Sequence, residues 1–322
     1  MALWTDIVNP ADLTGFARVE QEQNDTSVFS QILPNVYQDD VKFTWHVDQI
    51  LADVAEYGEF DTEAPIGRSG GREEKTVRLL PVMKKLRLSE YEQVIDPDRV
   101  QEKADEKAAA VVNFIINRLN QARAEALLDG TLDLNENGLV QTVDFGRDSG
   151  QTNVAPATLW GDAGADPIVD LQAWRDLVQD SSGATPDVIV VSSRVRNALG
   201  AALANAGYIA SMTERVSGEA VNAVLTDNEL PTVVVDNSRV AGQRLIPDDR
   251  LIMAVRGVSG GTVFGPTAEA KDPRYNLSGS AQNGLIAGVY KDDDPPVQWV
   301  LGKAVALPIL ANPNTSLSAD VL

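Results

Sequence analysis

The chain holds one histidine, His46, and no cysteine. Any Ser-His-Asp arrangement would have to use His46. It lies in "VKFTWHVD", on the polar side of an alternating stretch beside Lys42 and Asp48, with no nucleophile elbow or oxyanion loop nearby, and reads as an exposed strand histidine. Residues 257–266, "GVSGGTVFGP", have the glycine count of a phosphate loop. Such a loop needs a Lys-Ser/Thr pair opening a helix; here Val263, Phe264 and Gly265-Pro266 follow, so a turn between strands is expected. "KDDDPP", residues 291–296, packs three carboxylates, but calcium loops space their acids so that alternate residues converge on one ion. Three contiguous acids before two prolines read as a solvated turn. Without cysteine there are no disulfides, thiolate metal sites or cysteine nucleophiles. The remaining acids form no evident general acid and base pair. Catalytic, cofactor-binding and metal residues are therefore all read as none.

Charge is the sharper signal. Lys and Arg number 27 against 47 Asp and Glu, a formal charge of -20. Yet residues 65–90, "PIGRSGGREEKTVRLLPVMKKLRLSE", carry Arg68, Arg72, Lys75, Arg78, Lys84, Lys85 and Arg87 with only three acids. That leaves the remainder at -24. A body so acidic repels phosphate backbones, which argues against sequence-specific DNA binding. Its basic segment suits an acidic surface, including another copy of the same chain. No apolar run approaches the roughly 18 residues of a membrane span, and the N-terminus lacks a secretory pattern.

The elements that carry these residues can be read from their periods. Residues 1–40 read as an arm with a brief helix around Phe29, Ile32 and Leu33. "VKFTWHVD" and "TVRLLPVMKKLRL" read as two strands of one long hairpin, separated by a Gly-rich reversal from Gly58 to Gly71. Val77 and Leu79 point one way, Leu80 and Val82 the other, so the hairpin is expected to lie on something, such as a neighbouring copy. Residues 97–129 read as a long helix, capped by Asp96 and ended by Gly130. Val100, Ala104, Ala108, Val111, Ile115, Leu119, Ala122 and Ala126 mark its stripe, with Val111, Ile115 and Leu119 at the packed centre. After Trp160 the texture is α/β: helices at "PIVDLQAWRDLVQD", "SRVRNALGAALANA" and "GEAVNAVLTD", strands at "DVIVV", "TVVVD" and "RLIMAV". "VQWVLGKAVALPIL" reads as a long closing strand broken by Gly302 and Pro308.

Taken in order, these stretches resemble the major capsid proteins of tailed bacteriophages, in the lambda-type family with the Hong Kong ninety-seven (Johnson) fold. "DLTGFARVEQEQNDTSVFSQILPN" is similar to that family's N-terminal arm, and "APIGRSGGREEKTVRLLPVMKKLRLSE" to its extended loop. Residues 97–129 resemble the spine helix, and "VDFGR" the strand after it. "TVFGPTAEAKDPRY" followed by "YKDDDPPVQWVLGKAVALPILANPN" resembles the C-terminal third.

The resemblance implies an α+β fold: an arm at 1–40, an extended β-hairpin loop at 41–90, and a peripheral domain at 91–158 with the spine helix. It further implies an axial α/β domain with returning peripheral strands at 159–310 and a tail at 311–322. It implies hexamers and pentamers in an icosahedral shell around double-stranded DNA, no membrane and no cofactor. A separate scaffolding protein is implied, because the chain starts almost at the arm, along with a portal and a decoration protein. Assembly is placed in the host cytoplasm and the product in the virion. Relatives that cross-link a loop lysine to a neighbour's asparagine would cast Lys75 with Asn312 or Asn314. An encapsulin-like compartment, or more distantly an acidic α/β enzyme, are the alternative readings.

Overall fold

A 30-residue helix needs partners along its length, and the rest of the chain supplies them in two layers. The computed structural model describes residues 2–3, 8–48, 72–89, 91, 99–209, 216–293 and 296–322. In chain order the N-terminal half contains β1 (Ala2–Leu3), α1 (Pro10–Asn24), α2 (Val28–Ile32), β2 (Asn35–Tyr37), β3 (Lys42–Asp48), β4 (Arg72–Arg78), β5 (Pro81–Leu88), the spine helix α3 (Val100–Asp129), β6 (Thr131–Glu136) and β7 (Leu139–Asp144). The second half contains α4 (Pro167–Ser182), β8 (Val188–Val191), α5 (Ser193–Asn205), α6 (Gly218–Asp227), β9 (Thr232–Val235), β10 (Arg239–Val240) and β11 (Gln243–Arg244). It closes with β12 (Arg250–Ala254), β13 (Gly261–Gly265), β14 (Ile286–Asp293), β15 (Pro296–Ile309) and β16 (Ser316–Asp320).

At 1.5 Å per residue α3 is about 45 Å long. Asp96 and Pro97 lie outside the described residues; Arg99 precedes the helix without a side-chain cap bond, and Gly130 ends it at φ 68. All eight residues of the apolar stripe are buried, and so are Val112, Ile116, Ala124, Leu127 and Leu128. The extra buried positions arise because α3 serves two cores. Its N-terminal half packs with Leu13 and Ala17 of α1 and Val289, Val300 and Ala304 of the large sheet. Its C-terminal half packs with Phe29, Ile32, Phe145, Val263 and Leu307.

The large sheet runs β1-β14-β15-β13-β2, with β5 also on β15. Only the β2–β13 pair is parallel. The central strand β15 is 14 residues long and unbroken, correcting the expected breaks. Gly302 faces α3 so closely that a Cβ there would lie 2.5 Å from Val111 Cγ1, so this glycine permits close approach rather than interrupting the strand. Pro308 sits opposite Thr262 at the last turn of the β13 pairing.

The second layer is the four-stranded sheet β16-β12-β8-β9. Residues of β8 alternate between cores: Val188 and Val190 face the one shared with α3, whereas Ile189 and Val191 meet α4, α5 and α6. Burial on both faces explains the uninterrupted apolar run. Local caps fix the helices: Asp166, Ser192 and Ser217 accept from Ile168, Val195 and Ala220 backbone N–H groups. Residues 311–322 do not trail as a tail. They include β16, which pairs along β12 from Ser316 to Asp320 and is buried from Ser316 through Ala319.

Two further expectations change. The N-terminal segment is folded onto the body, with the 15-residue helix α1 that the sequence reading missed. Its buried face is Leu13, Thr14, Ala17 and Gln21, too weakly apolar to mark a stripe. Residues 76–88 are also not one hairpin strand. β4 pairs with β3, from Lys42↔Arg78 to Asp48↔Arg72, whereas β5 leaves the hairpin and pairs with β15. The hand-off is at Leu79 and Leu80: Leu79 N–H donates to Val41 O at 2.8 Å, and Leu80 O accepts from Ala306 N–H at 3.0 Å. Val77 and Leu79 are buried in this chain's own core, and Leu80 and Val82 pack against its cores. The apolar flanks therefore do not require a neighbouring copy.

Two buried arginines fasten these parts to α3. Arg123 is fully buried and meets Asp25 of the N-terminal segment with both terminal nitrogens, at 2.7 and 2.9 Å. It also donates to Asn120, Asn35 and Thr262. Arg147 donates to the last carbonyls of α3, Leu127 O at 2.5 Å and Leu128 O at 2.6 Å, and to Thr152 and Ser318 side chains. Ser318 belongs to β16, so this contact ties the second layer to the end of the spine.

Candidate assembly surface

The hairpin and β5 divide the seven basic residues between two places. Arg68 lies outside the described residues, and of Arg72 only the backbone is placed, opposite Asp48. Lys75 lies against its own chain. Its Nζ donates to Asp144 O at 3.3 Å and sits 4.0 Å from Asp144 Oδ2. Gly146, at φ 78, leaves the room it occupies, since a Cβ there would lie 2.5 Å from Nζ. Arg78 is exposed, directly across from Lys42; like charges so placed repel.

The other three share β5. Lys84, Lys85 and Arg87 are all exposed. Lys85 Nζ stands 4.4 Å from the centre of the Trp299 ring, a cation–π contact worth about 0.5–1 kcal/mol at an exposed site. Arg87 is opposite Trp299 in the register. Lys84 and Arg87 have no ion pair among the described residues. Val111, Ile115 and Leu119, by contrast, are buried beneath the sheet.

The histidine and the two loops offer little chemistry. His46 is exposed on β3, across from Glu74. Residues 257–260 make a bend into β13. Asp292 and Asp293 end β14, where it turns toward β15. Among the described residues no three His, Cys, Asp or Glu side chains group as metal ligands. Nor is any described helix long and apolar enough to cross a membrane. Asn312 and Asn314 are engaged within the chain, Asn312 donating to Val258 O and Asn314 accepting from Asp148 N–H.

Sequence reasoning missed one feature beside β5. A cleft of about 450 Å³ opens between β5, the flank of α3 and the β6–β7 hairpin. Phe114, off the main stripe of α3, is the only signal that could have pointed to it.

A long helix crossing a sheet that borrows strands from both chain ends, with a β3–β4 hairpin and a separate α/β layer, defines the class of capsid subunits with the Hong Kong ninety-seven fold. The chain matches the family described as phage major capsid protein E over residues 54–321, and it belongs to that family. Solved structures share the fold. A candidate capsid protein of an E. coli CFT073 prophage aligns with a TM-score of 0.66 at 13% identity, covering 98% of this chain and 99% of that one. A phage-related protein from Bordetella bronchiseptica RB50 gives 0.60 at 11% identity, over 96% and 95%. The virus-like particle from Pyrococcus furiosus gives 0.52 at 9% identity, over 96% and 98%. No curated protein matches the chain by sequence. The protein is thus a shell-forming structural subunit of a phage capsid.

Proposed function

We propose that copies of this chain form hexamers and pentamers that close into an icosahedral shell around double-stranded DNA, with no catalytic role. The large sheet with α3 serves as the peripheral domain, and the four-stranded sheet with α4 to α6 as the axial one. Assembly takes place in the host cytoplasm with a separate scaffolding protein and a portal, and a decoration protein reinforces the shell. Arg68, Arg72, Arg78, Lys84, Lys85 and Arg87 form the basic side of contacts between copies, whereas Lys75 is held on Asp144 of its own chain. The observation that carries this reading is the exposed Lys84–Lys85–Arg87 strand on a subunit whose remainder is strongly acidic. Each exposed ion pair gives only about 0–1 kcal/mol, but a closed shell repeats it many times. The same acidity keeps packed DNA from adhering to the wall.

Electron microscopy of the purified protein tests the reading. Hollow shells are expected from the wild type. The variant Lys84→Glu/Arg87→Glu is expected to keep its circular dichroism but to stay unassembled. Wild-type assembly is also expected to weaken as salt rises, the Debye length being about 10 Å at 0.1 M. Normal shells from the charge-reversed variant would remove β5 from the contact.

A further inference from the structure

Two stretches of this chain nearly match in sequence and differ in setting. Glu136-Asn137-Gly138-Leu139 and Gln282-Asn283-Gly284-Leu285 each place an asparagine before a glycine. An asparagine so placed can react with its own backbone, because glycine has no Cβ to shield its nitrogen. The first pair is the two-residue turn between β6 and β7, with Glu136 opposite Leu139. Asn137 at φ 49 and Gly138 at φ 82 are both left-handed, as a type I′ turn requires. Both are exposed, and among the described residues neither the Asn137 side chain nor the Gly138 N–H has a hydrogen-bond partner. Leu132 and Val143 anchor the base of the hairpin in the core, but its strands pair only with each other, and Val140 beside the turn is 78% exposed. A two-stranded ribbon is marginal in water, so its tip opens. Opening frees the rotation that brings Gly138 N to Asn137 Cγ.

The second pair is held at every point. Asn283 is 5% exposed, its Nδ2 donates to Asp39 Oδ1 at 2.5 Å, and its carbonyl accepts from Arg18 Nη2 at 3.1 Å. The Gly284 N–H, the group that would attack, donates to Gly265 O at 3.4 Å.

We propose that Asn137-Gly138 is a self-modification site, where the chain loses the Asn137 amide without an enzyme, whereas the fold protects Asn283-Gly284. Solvent base takes the Gly138 N–H proton, and the nitrogen attacks Asn137 Cγ. The N–Cγ bond forms, the Cγ–Nδ2 bond breaks, and Nδ2 leaves as ammonia with a proton from water. Water then opens the succinimide ring at either carbonyl, giving aspartate or isoaspartate. The net reaction converts asparagine and water to a carboxylate and ammonium, with no oxidant or cofactor. The product sets a new negative charge beside Glu136, whose Oε1 holds Arg118 of α3 at 2.8 Å. Isoaspartate also lengthens the main chain by one atom and breaks the register of the turn. The inference does not depend on the shell reading.

Purified protein aged in mildly alkaline heavy-oxygen water and mapped by mass spectrometry tests the site. Fragment ions are expected to place the new carboxylate and its heavy oxygen on residue 137, and isoaspartyl methyltransferase to label the same peptide. In the folded chain Asn137 should outpace Asn283 by more than about tenfold, the ratio that about 1.4 kcal/mol of extra opening cost gives. In urea the two rates should converge, since the flanking sequences nearly match. Equal rates in the folded chain, or a faster Asn283, would overturn the proposal. So would an Asn137 that reacts in urea but stays intact when folded. Asn137→Gln, which needs a larger ring, is expected to leave that peptide unmodified; heavy oxygen still appearing there would put the reaction on another residue and overturn the assignment.

Discussion

The N-terminal segment and the α/β layer are both fastened to the C-terminal half of the spine by a buried arginine, and they are fastened in different ways. At the first joint Arg123 meets a carboxylate. Its five N–H groups go to Asp25 twice and to Asn120, Asn35 and Thr262 once each. At the second joint Arg147 meets no carboxylate directly and relies on helix-end carbonyls and two hydroxyls. Burial pushes its pKa down to about 10, with Asp129 opposing and Arg250 adding to the shift. A cation at the C-terminal end of a helix complements the helix dipole, which is why so costly a charge can be kept there. The first joint is thus a committed pair, intolerant of losing either member. The second is a cap whose charge is partly a burden.

The difference can be broken or sharpened by substitution. The largest effect is expected from Asp25→Ala, which strands Arg123 in the core. Removing one partner of a buried pair costs about 3–5 kcal/mol, read from urea unfolding. Hydrogen exchange should quicken in α1 and α2 while β8 and β12 keep their protection; a loss below about 1 kcal/mol, the range of an exposed ion pair, would mean that Asp25 and Arg123 are not a committed pair. Arg147→Met is expected to cost less, about 1–3 kcal/mol, because it leaves helix carbonyls unmet but also removes a poorly solvated charge. If it proves worse than Asp25→Ala, the ranking is wrong. Thr152→Val removes one acceptor of Arg147, 3.0 Å from Nε, and should cost about 0.5–1.5 kcal/mol. His46→Gln, exposed and outside both joints, should move stability by less than about 0.5 kcal/mol and leave shell size unchanged. A shift comparable to that of Arg147→Met would mean the hairpin is coupled to the spine.

What was legible in the sequence had a local period. The spine stripe from Val100 to Ala126 and the α/β elements announce themselves through spacing and flanking turns. What was hidden depended on partners far along the chain. Nothing near β5 says that Lys84 will lie opposite Gly302, so the run from Thr76 to Leu88 passed for a single strand. The same remoteness made Val77, Leu79, Leu80 and Val82 seem to need a neighbour, when their cover comes from within the chain. Helix α1 was hidden for another reason, the polar Thr14 and Gln21 on its buried face. Of the candidate surface, the cluster of bases was legible, but its division between hairpin and sheet was not. Arg118, Arg123 and Arg147 carry no signal in the sequence, because only the fold shows which arginines lose water.

The long strand β15 also sets an order in time. While residues 296–309 have yet to leave the ribosome, β5, β13 and β14 lack the strand they share. Until Gly302 arrives against Val111, the apolar stripe of the spine has no sheet to cover it. Contacts this remote in sequence form slowly, because a long loop must close before any of them gains energy. A half-translated subunit therefore has no large sheet and no ordered β5 edge. The feature that joins the strands of the finished molecule also keeps a nascent chain from presenting a finished surface to its neighbours.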